Sequence, residues 1–270
     1  MNEIESILCK VLDCSRPELY LDRSRRALRF RESRRLDDIL RRRMEGEPLQ
    51  YLLGDVDFMG LKLRVKPGVL VPRPETEVLV EEAVRRLKEA DACCRNILEI
   101  GTGSGNIAIA LASFLPAGCL GHIVAVDVSP TCLSVARSNA RRCGVSGKVT
   151  FLMSDLFSSL KKERFDVFIS NPPYISRREA GRLPRDVQRE PAQALLAGQD
   201  GLFFYRRIEQ GARTFLKAGG QVFLEIGETQ AGALRKIFQR RAGWSAVEFI
   251  KDLAGRDRVA VIGKLRRKGI

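Results

Sequence analysis

The chain has 270 residues, 44% of them hydrophobic and 30% charged, which suits one or two globular domains with a real core and excludes a largely disordered chain. Its 47 Lys plus Arg against 33 Asp plus Glu leave a net charge of +14, which favours an anionic partner without choosing among nucleic acid, an acidic protein and a membrane surface. No apolar run approaches the roughly 20 residues that cross a bilayer, and residues 1–10 lack a signal peptide's basic start and apolar stretch, so no membrane role is expected.

The chain opens helical. Ile4, Ile7, Leu8, Val11 and Leu12 recur at helical spacing, as do Leu36, Ile39, Leu40 and Met44. Between them lies an arginine-rich stretch, Arg23, Arg25, Arg26, Arg29, Arg31, Arg34 and Arg35, which reads as a solvated helix face or as a binding patch. Gly46 and Pro48 end the helical section. From Val56 to Val65, short alternation around Gly60 predicts a β-hairpin. Three prolines and a glycine in 66–74 then make a stiff connection. Pro74 is placed to open a helix, with Glu75, Glu77, Glu81 and Glu82 near its positive end. The expected division is a helical part at 1–54, a hairpin and linker at 55–74, and an α/β domain at 75–270.

That last part alternates strand and helix, which predicts a mainly parallel sheet covered on both faces. Strands are expected at Asn96–Ile100, Ile123–Val128, Val149–Met153, Asp166–Ser170 and Gln221–Ile226, with two more near Ser245–Ile250 and Arg258–Gly263. Ser129-Pro130 supplies an N-cap and first-turn proline for one helix. Another spans Gly201–Leu216, closed by Gly219-Gly220. The 7 cysteines form no CxxC; Cys93 and Cys94 are adjacent and the rest scattered, so neither a metal site nor a disulfide framework is expected, and a reducing cytoplasm is the simpler compartment. The single histidine, His122, opens an apolar run and reads as a strand residue.

Chemistry enters at two motifs. Glu99-Ile100-Gly101-Thr102-Gly103-Ser104-Gly105 lies at a strand-to-helix junction, where glycines let the backbone approach a ligand. Its G-x-G-x-G spacing is neither the dinucleotide fingerprint nor a P-loop. The next strand ends in Asp127, whose carboxylate can accept both ribose hydroxyls and would repel a phosphate there. Together they favour a phosphate-free nucleoside such as S-adenosylmethionine. From this point the chain resembles class I (Rossmann-like) S-adenosylmethionine-dependent methyltransferases. The resemblance implies that Glu99 serves as that family's first acid, and that Asp155 and the backbone of Leu156 contact the adenine.

The second motif is Asn171-Pro172-Pro173-Tyr174, delivered by the strand ending at Ser170. It resembles the motif of methyltransferases acting on planar amino or amide nitrogens. Such a nitrogen's lone pair is delocalised and poorly nucleophilic. The Asn171 side-chain oxygen and the Pro172 carbonyl can accept its two N–H groups, aiming the lone pair at a methyl sulfonium. Tyr174 can pack against the planar group.

An ordered series then narrows the likeness: Pro48–Gly54, Phe58–Leu61, Val69–Glu77, Glu190-Pro191, Gly198–Leu202, Glu225-Ile226-Gly227 and Asp252–Arg258. Over residues 46–263 the chain resembles the peptide-chain release factor glutamine methyltransferase family. The resemblance implies N5-methylation of the glutamine in the Gly-Gly-Gln motif of class I release factors. It also implies a small helical N-terminal domain joined by a hairpin to the methyltransferase domain, and a border role for Phe58 and the Pro72-Arg73-Pro74-Glu75-Thr76 segment, Arg73 above all, at the cofactor and glutamine pocket. The Arg-rich helices, or Arg177, Arg178, Arg182, Arg185 and Arg189, could bind an acidic face of the factor. Direct nucleic-acid contact is compatible with the charge but not required. The alternative is a DNA adenine N6-methyltransferase, which the charge suits but which lacks a segment large enough for target recognition.

Overall fold

The computed structural model describes residues 2–23, 27–89, 95–161 and 163–265. Arg25, Arg26, the Cys93-Cys94 pair and the basic tail after Leu265 lie outside them. The helical start comprises α1 (Glu3–Leu12), α2 (Arg16–Glu18), a π-helical turn at Leu19–Arg23, α3 (Phe30–Met44) and α4 (Leu49–Leu53). Asn2 caps α1, its side chain accepting the Ile4 N–H at 3.1 Å. Helix α3 starts six residues before the first apolar repeat at Leu36, because Glu32 bonds back to the Arg29 N–H at 2.8 Å and closes the first turn. The helical section also runs past Pro48. Leu49 and Leu52 of α4 pack with Ile7, Val11 and Ile39 into a small separate core.

Strands β1 (Asp55–Phe58) and β2 (Leu61–Arg64) form the expected hairpin. Its two turn residues, Met59 and Gly60, both take positive φ, 52° and 76°, which matches the twist of the flanking strands. Helix α5 (Pro74–Glu89) follows. The α/β part then runs β3 (Arg95–Ile100), α6 (Asn106–Phe114), β4 (Leu120–Asp127), α7 (Pro130–Arg142), β5 (Val149–Met153) and β6 (Phe165–Ser170). Short helices α8 (Arg185–Gln188) and α9 (Ala192–Leu195) come next, and then α10 (Phe203–Phe215), β7 (Leu216–Glu225), α11 (Ala231–Gln239), β8 (Glu248–Lys251) and β9 (Asp257–Gly263).

Seven strands make one sheet in the order β5-β4-β3-β6-β7-β9-β8. β5 through β7 are parallel, and β9 runs antiparallel between β7 and β8. One buried cluster packs α5, α6 and α7 on one face; a second packs α10 and α11 on the other. His122 lies on β4 and bonds Thr150 at 2.8 Å, as a strand residue should. Gly219-Gly220 does not close a helix but lies within β7. A Cβ on Gly220 would come within 2.7 Å of the Asp166 carbonyl oxygen, so glycine allows β7 to approach β6 there.

The chain order reverses beside β3: β4 and β5 extend the sheet on one side, β6 and β7 on the other. Ligands of open α/β sheets bind outside the carboxyl ends of the strands at such a point. The carboxyl ends of β3, β4 and β6 carry the glycine loop, Asp127 and Asn171 respectively.

Candidate active site

A cleft opens at these strand ends. Its walls are the loop residues Gly101, Thr102, Gly103 and Ser104, with Asp127, Asp155 and Leu156, then Asn171, Pro172 and Pro173, and a rim from Leu70–Arg73 and Pro191–Ala194. The glycine loop is held by strand ends. The Gly101 and Thr102 N–H groups both donate to the Val126 carbonyl, at 2.9 and 3.0 Å. Gly101, Gly103 and Gly105 take φ of 74°, 56° and 84°, where L side chains are strained. No protein atom lies within 4 Å of where a Cβ on Gly101 or Gly103 would sit, so bare backbone faces open space. Gly105 is different: it lies behind the cleft, where a Cβ would stand 3.2 Å from the Ala136 backbone. That approach seats α6 against α7.

Asp127 is part of the loop's support. Its Oδ2 accepts the Gly103 N–H and its Oδ1 the Ser129 N–H, both at 2.8 Å. Burial pushes its carboxyl up, and these backbone donors pull it back. Lone pairs remain on both oxygens for two hydroxyls. Glu99 lies under the loop, fully buried. Its Oε2 accepts the Thr102 hydroxyl at 2.7 Å, and its Oε1 has no partner among the described residues. Burial pushes its carboxyl up to about 8, against the pull of Thr102. Open glycine backbone and an acceptor pair on Asp127 together fit a phosphate-free nucleoside.

At the third strand's end, Leu156 takes φ of 50°, and the Ser154 hydroxyl donates to its carbonyl at 3.0 Å. Asp155 lines the cleft, yet both its oxygens are taken by Arg207, at 2.9 and 3.0 Å. The aromatic on this wall is Phe204 of α10, which the sequence reading missed.

The acceptor wall is built from far-flung parts. The Asn171 Nδ2 donates to the Thr76 Oγ1 at 3.0 Å, and the Thr76 hydroxyl donates to the Glu225 Oε2 at 2.7 Å. Burial pushes the Glu225 carboxyl up to about 7. Glu190 ties the two sides of the rim. One oxygen accepts the Val71 N–H at 2.8 Å and the other pairs with the Arg73 guanidinium. Arg73 thus borders the cleft with its charge spent on Glu190.

Besides Glu99 and Gly105, which lie behind the loop and off the cleft wall, two expected contacts differ. Phe58 does not reach the cleft wall; it is 1% exposed and belongs to the large core cluster that also holds Leu63, Leu79 and Val80, since the hairpin buries this side chain against the α/β part. Tyr174 is also off the wall. Its ring packs toward the α10–α11 core and its hydroxyl points to the Glu225 Oε1 at 3.5 Å, so it cannot stack on a group in the cleft.

The sequence reading placed Thr76 at the pocket border and quoted Glu190 and Glu225 without a role; their bonds, and Asn139 altogether, escaped it. Asn139 is wholly buried and joins three places: it bonds the Arg64 N–H and carbonyl on the hairpin, at 2.8 and 3.0 Å, and the Ser104 carbonyl at 2.9 Å. A buried polar residue between Ala136 and Ala140 on an apolar helix face was the available signal.

The chain matches two domain families, the methyltransferase small domain over residues 75–197 and the PrmC N-terminal domain over residues 1–54. Among solved structures, a methyltransferase from Pyrococcus furiosus superposes with a TM-score of 0.55 at 23% identity, over 88% of this chain and 100% of that one. The ribosomal protein L11 methylase of Lactobacillus delbrueckii gives 0.53 at 18% identity, over 76% and 86%. Both likenesses concern the fold. Sequence relatives reach further. The release factor glutamine methyltransferase of Thermodesulfovibrio yellowstonii is 36% identical over 98% of this chain and 92% of its own length. That of Salmonella typhimurium is 42% identical over 84% and 79%. With such identity over most of both chains, the chain belongs to the release factor glutamine methyltransferase family.

Proposed function

We propose that this protein transfers the methyl group of S-adenosylmethionine to the side-chain amide nitrogen, N5, of the glutamine in the Gly-Gly-Gln motif of class I peptide-chain release factors, and so modulates translation termination. The observation that carries the reading is an Asn-Pro-Pro-Tyr turn whose Asn171 shares one cleft with Asp127 and the glycine loop. S-adenosylmethionine supplies an electrophilic methyl group. Asp127 accepts the ribose hydroxyls, Gly101–Ser104 offer close backbone, and Glu99 holds the loop from beneath through Thr102. Leu156 and Asp155 border the adenine, with Phe204 as its aromatic neighbour.

Catalysis on this reading is mostly positioning. The Asn171 Oδ1 and the Pro172 carbonyl accept the two amide N–H groups of the substrate. These bonds strengthen as the nitrogen becomes more tetrahedral and acidic, so they stabilise the transition state more than the ground state. Pro172 and Pro173 fix the backbone that aims both acceptors. Tyr174 supports this turn from behind, and Arg73 shapes the rim through Glu190. No base is needed before methyl transfer, because the nitrogen sheds its proton only after it becomes cationic.

The helical part at 1–54 and the hairpin and linker at 55–74 complete the surface for a folded protein substrate, and residues 75–270 carry the reaction. Arg177, Arg178, Arg182, Arg185 and Arg189 are all exposed on the segment between the Asn-Pro-Pro-Tyr turn and Glu190, and suit an acidic face of the factor. This reading requires no nucleic acid. Among the described residues no helix is long and apolar enough to cross a membrane, and the described cysteines are free. A cytoplasmic location fits those cysteines and a substrate of the translation machinery. The test is methyl transfer from labelled S-adenosylmethionine to three acceptors in parallel: a release factor, the same factor with its Gly-Gly-Gln glutamine changed to alanine, and adenine-containing DNA. Label in the first alone is the expected result; label in DNA would favour the adenine N6 alternative.

A further inference from the structure

We propose that Thr76 and Glu225 are positioning residues that fix which end of the Asn171 side-chain amide faces the cleft. The proposal rests on the role given to Asn171 above. A carboxamide has nearly the same shape either way round, so only its hydrogen-bond partners choose its orientation. The two orientations differ in chemistry. With Oδ1 toward the cleft, Asn171 accepts a substrate N–H. With Nδ2 toward the cleft, donor meets donor and the substrate amide is repelled.

The chain of bonds behind Asn171 selects the first orientation. In its ionised form the Glu225 carboxylate only accepts, and it then takes the single hydroxyl proton of Thr76, at 2.7 Å. The Thr76 oxygen is then left to accept, and it takes the Asn171 Nδ2 at 3.0 Å. The Asn171 oxygen is thereby turned away from Thr76. The fold places these parts together. Ser170 pairs with Leu224 across β6 and β7, so Asn171 and Glu225 are the next residues out of the same register. Thr76, in the first turn of α5, is 1% exposed and sits between them. The same carboxylate receives the Tyr174 hydroxyl on its other oxygen, so Glu225 holds both ends of the Asn171–Tyr174 turn. Arg258 also faces Glu225, but its guanidinium is bonded to Asp252 at 3.2 Å.

The purely structural alternative is that Thr76 and Glu225 only pin α5 to the sheet. Thr76→Val keeps shape and removes the hydroxyl; Thr76→Ser keeps the hydroxyl. The experiment measures kcat, KM for the release factor, S-adenosylmethionine affinity and thermal midpoint for each, together with the Asn171 side-chain amide resonances in protein selectively labelled with ¹⁵N-asparagine. Thr76→Val is expected to lower kcat by about 10- to 100-fold, as misplacing a reacting group does. Cofactor affinity should stay within about 2-fold and KM within about 3-fold, the pattern of an interaction made chiefly in the transition state. Thr76→Ser should restore kcat, and the Asn171 resonances should move in the valine variant only. An unchanged kcat and unmoved resonances in Thr76→Val, or a serine variant as impaired as the valine one, would overturn the proposal. If the wild type itself fails to methylate the factor, the substrate reading falls, while the resonances still decide the hydrogen-bond chain.

Discussion

The two walls of the cleft are held by bonds of very different reach. Around the glycine loop most partners are near in sequence: Glu99 and Thr102 are 3 residues apart, Asp127 and Ser129 are 2, and Gly103 and Asp127 are 24, with Ser104–Asn139 at 35 and Asp155–Arg207 at 52 the longer ties of the cofactor side. On the acceptor side they are remote: 95 residues separate Asn171 from Thr76, 149 separate Thr76 from Glu225, and 117 separate Arg73 from Glu190. A local bond forms wherever its short segment folds, whereas a remote one exists only once the whole sheet is assembled. The acceptor wall therefore depends more than the glycine loop does on assembly of the whole sheet.

The sharpest way to separate the walls is Asn171→Ala. Turnover should fall by about 100- to 1,000-fold, the cost of losing one oriented transition-state acceptor or donor. Cofactor affinity, measured by calorimetry, should barely change; an equal loss of both would mean that Asn171 shapes the cofactor wall instead. Next comes Arg73→Ala, which strands the Glu190 carboxylate in a buried site and should cost about 3 kcal/mol in denaturant unfolding. Replacing both partners by apolar residues should recover much of that loss. A single variant with unchanged stability would show that the rim is not held by this pair.

Asp127→Ala should act on the other wall alone. It removes charged acceptors and should weaken cofactor binding by about 10- to 100-fold, with kcat at saturation much less affected. A smaller effect is expected from pH. Glu99 and Glu225 bind their protons more tightly folded than unfolded, because burial raises them to about 8 and about 7 from an ordinary 4.5. Their contribution to stability is fullest below about 4.5 and is lost as pH rises through those folded values. Glu99→Gln and Glu225→Gln should each flatten that decline in thermal melts across the neutral range. Least of all, rising salt should increase KM for the release factor and leave cofactor affinity alone, since the exposed arginines act through screened charge.

This contrast of reach also explains what could be read from the chain. The glycine loop, Asp127 and the Ser129-Pro130 helix start are visible because each motif carries its own local geometry. The hairpin was legible for the same reason, with Gly60 in a turn that needs positive φ. Phe58 and Tyr174 misled because their types suggest stacking, while the depth of each is set by packing partners far along the chain. Phe58 is drawn into the same buried cluster as Leu79 and Val80 of α5. Thr76 was legible only as part of the segment bordering the pocket, and it does line the cleft; its link to Glu225 was not, because only the β6–β7 register brings that carboxylate to it.

The most direct measurement is tandem mass spectrometry of a class I release factor incubated with this protein and S-adenosylmethionine. The account predicts a gain of one methyl, about 14 Da, on the Gly-Gly-Gln glutamine and on no other residue, with the fragment ions placing it on the side-chain amide in keeping with the transition-state role of Asn171. A factor left unmodified while the protein binds the cofactor, or a methyl carried elsewhere, would contradict it.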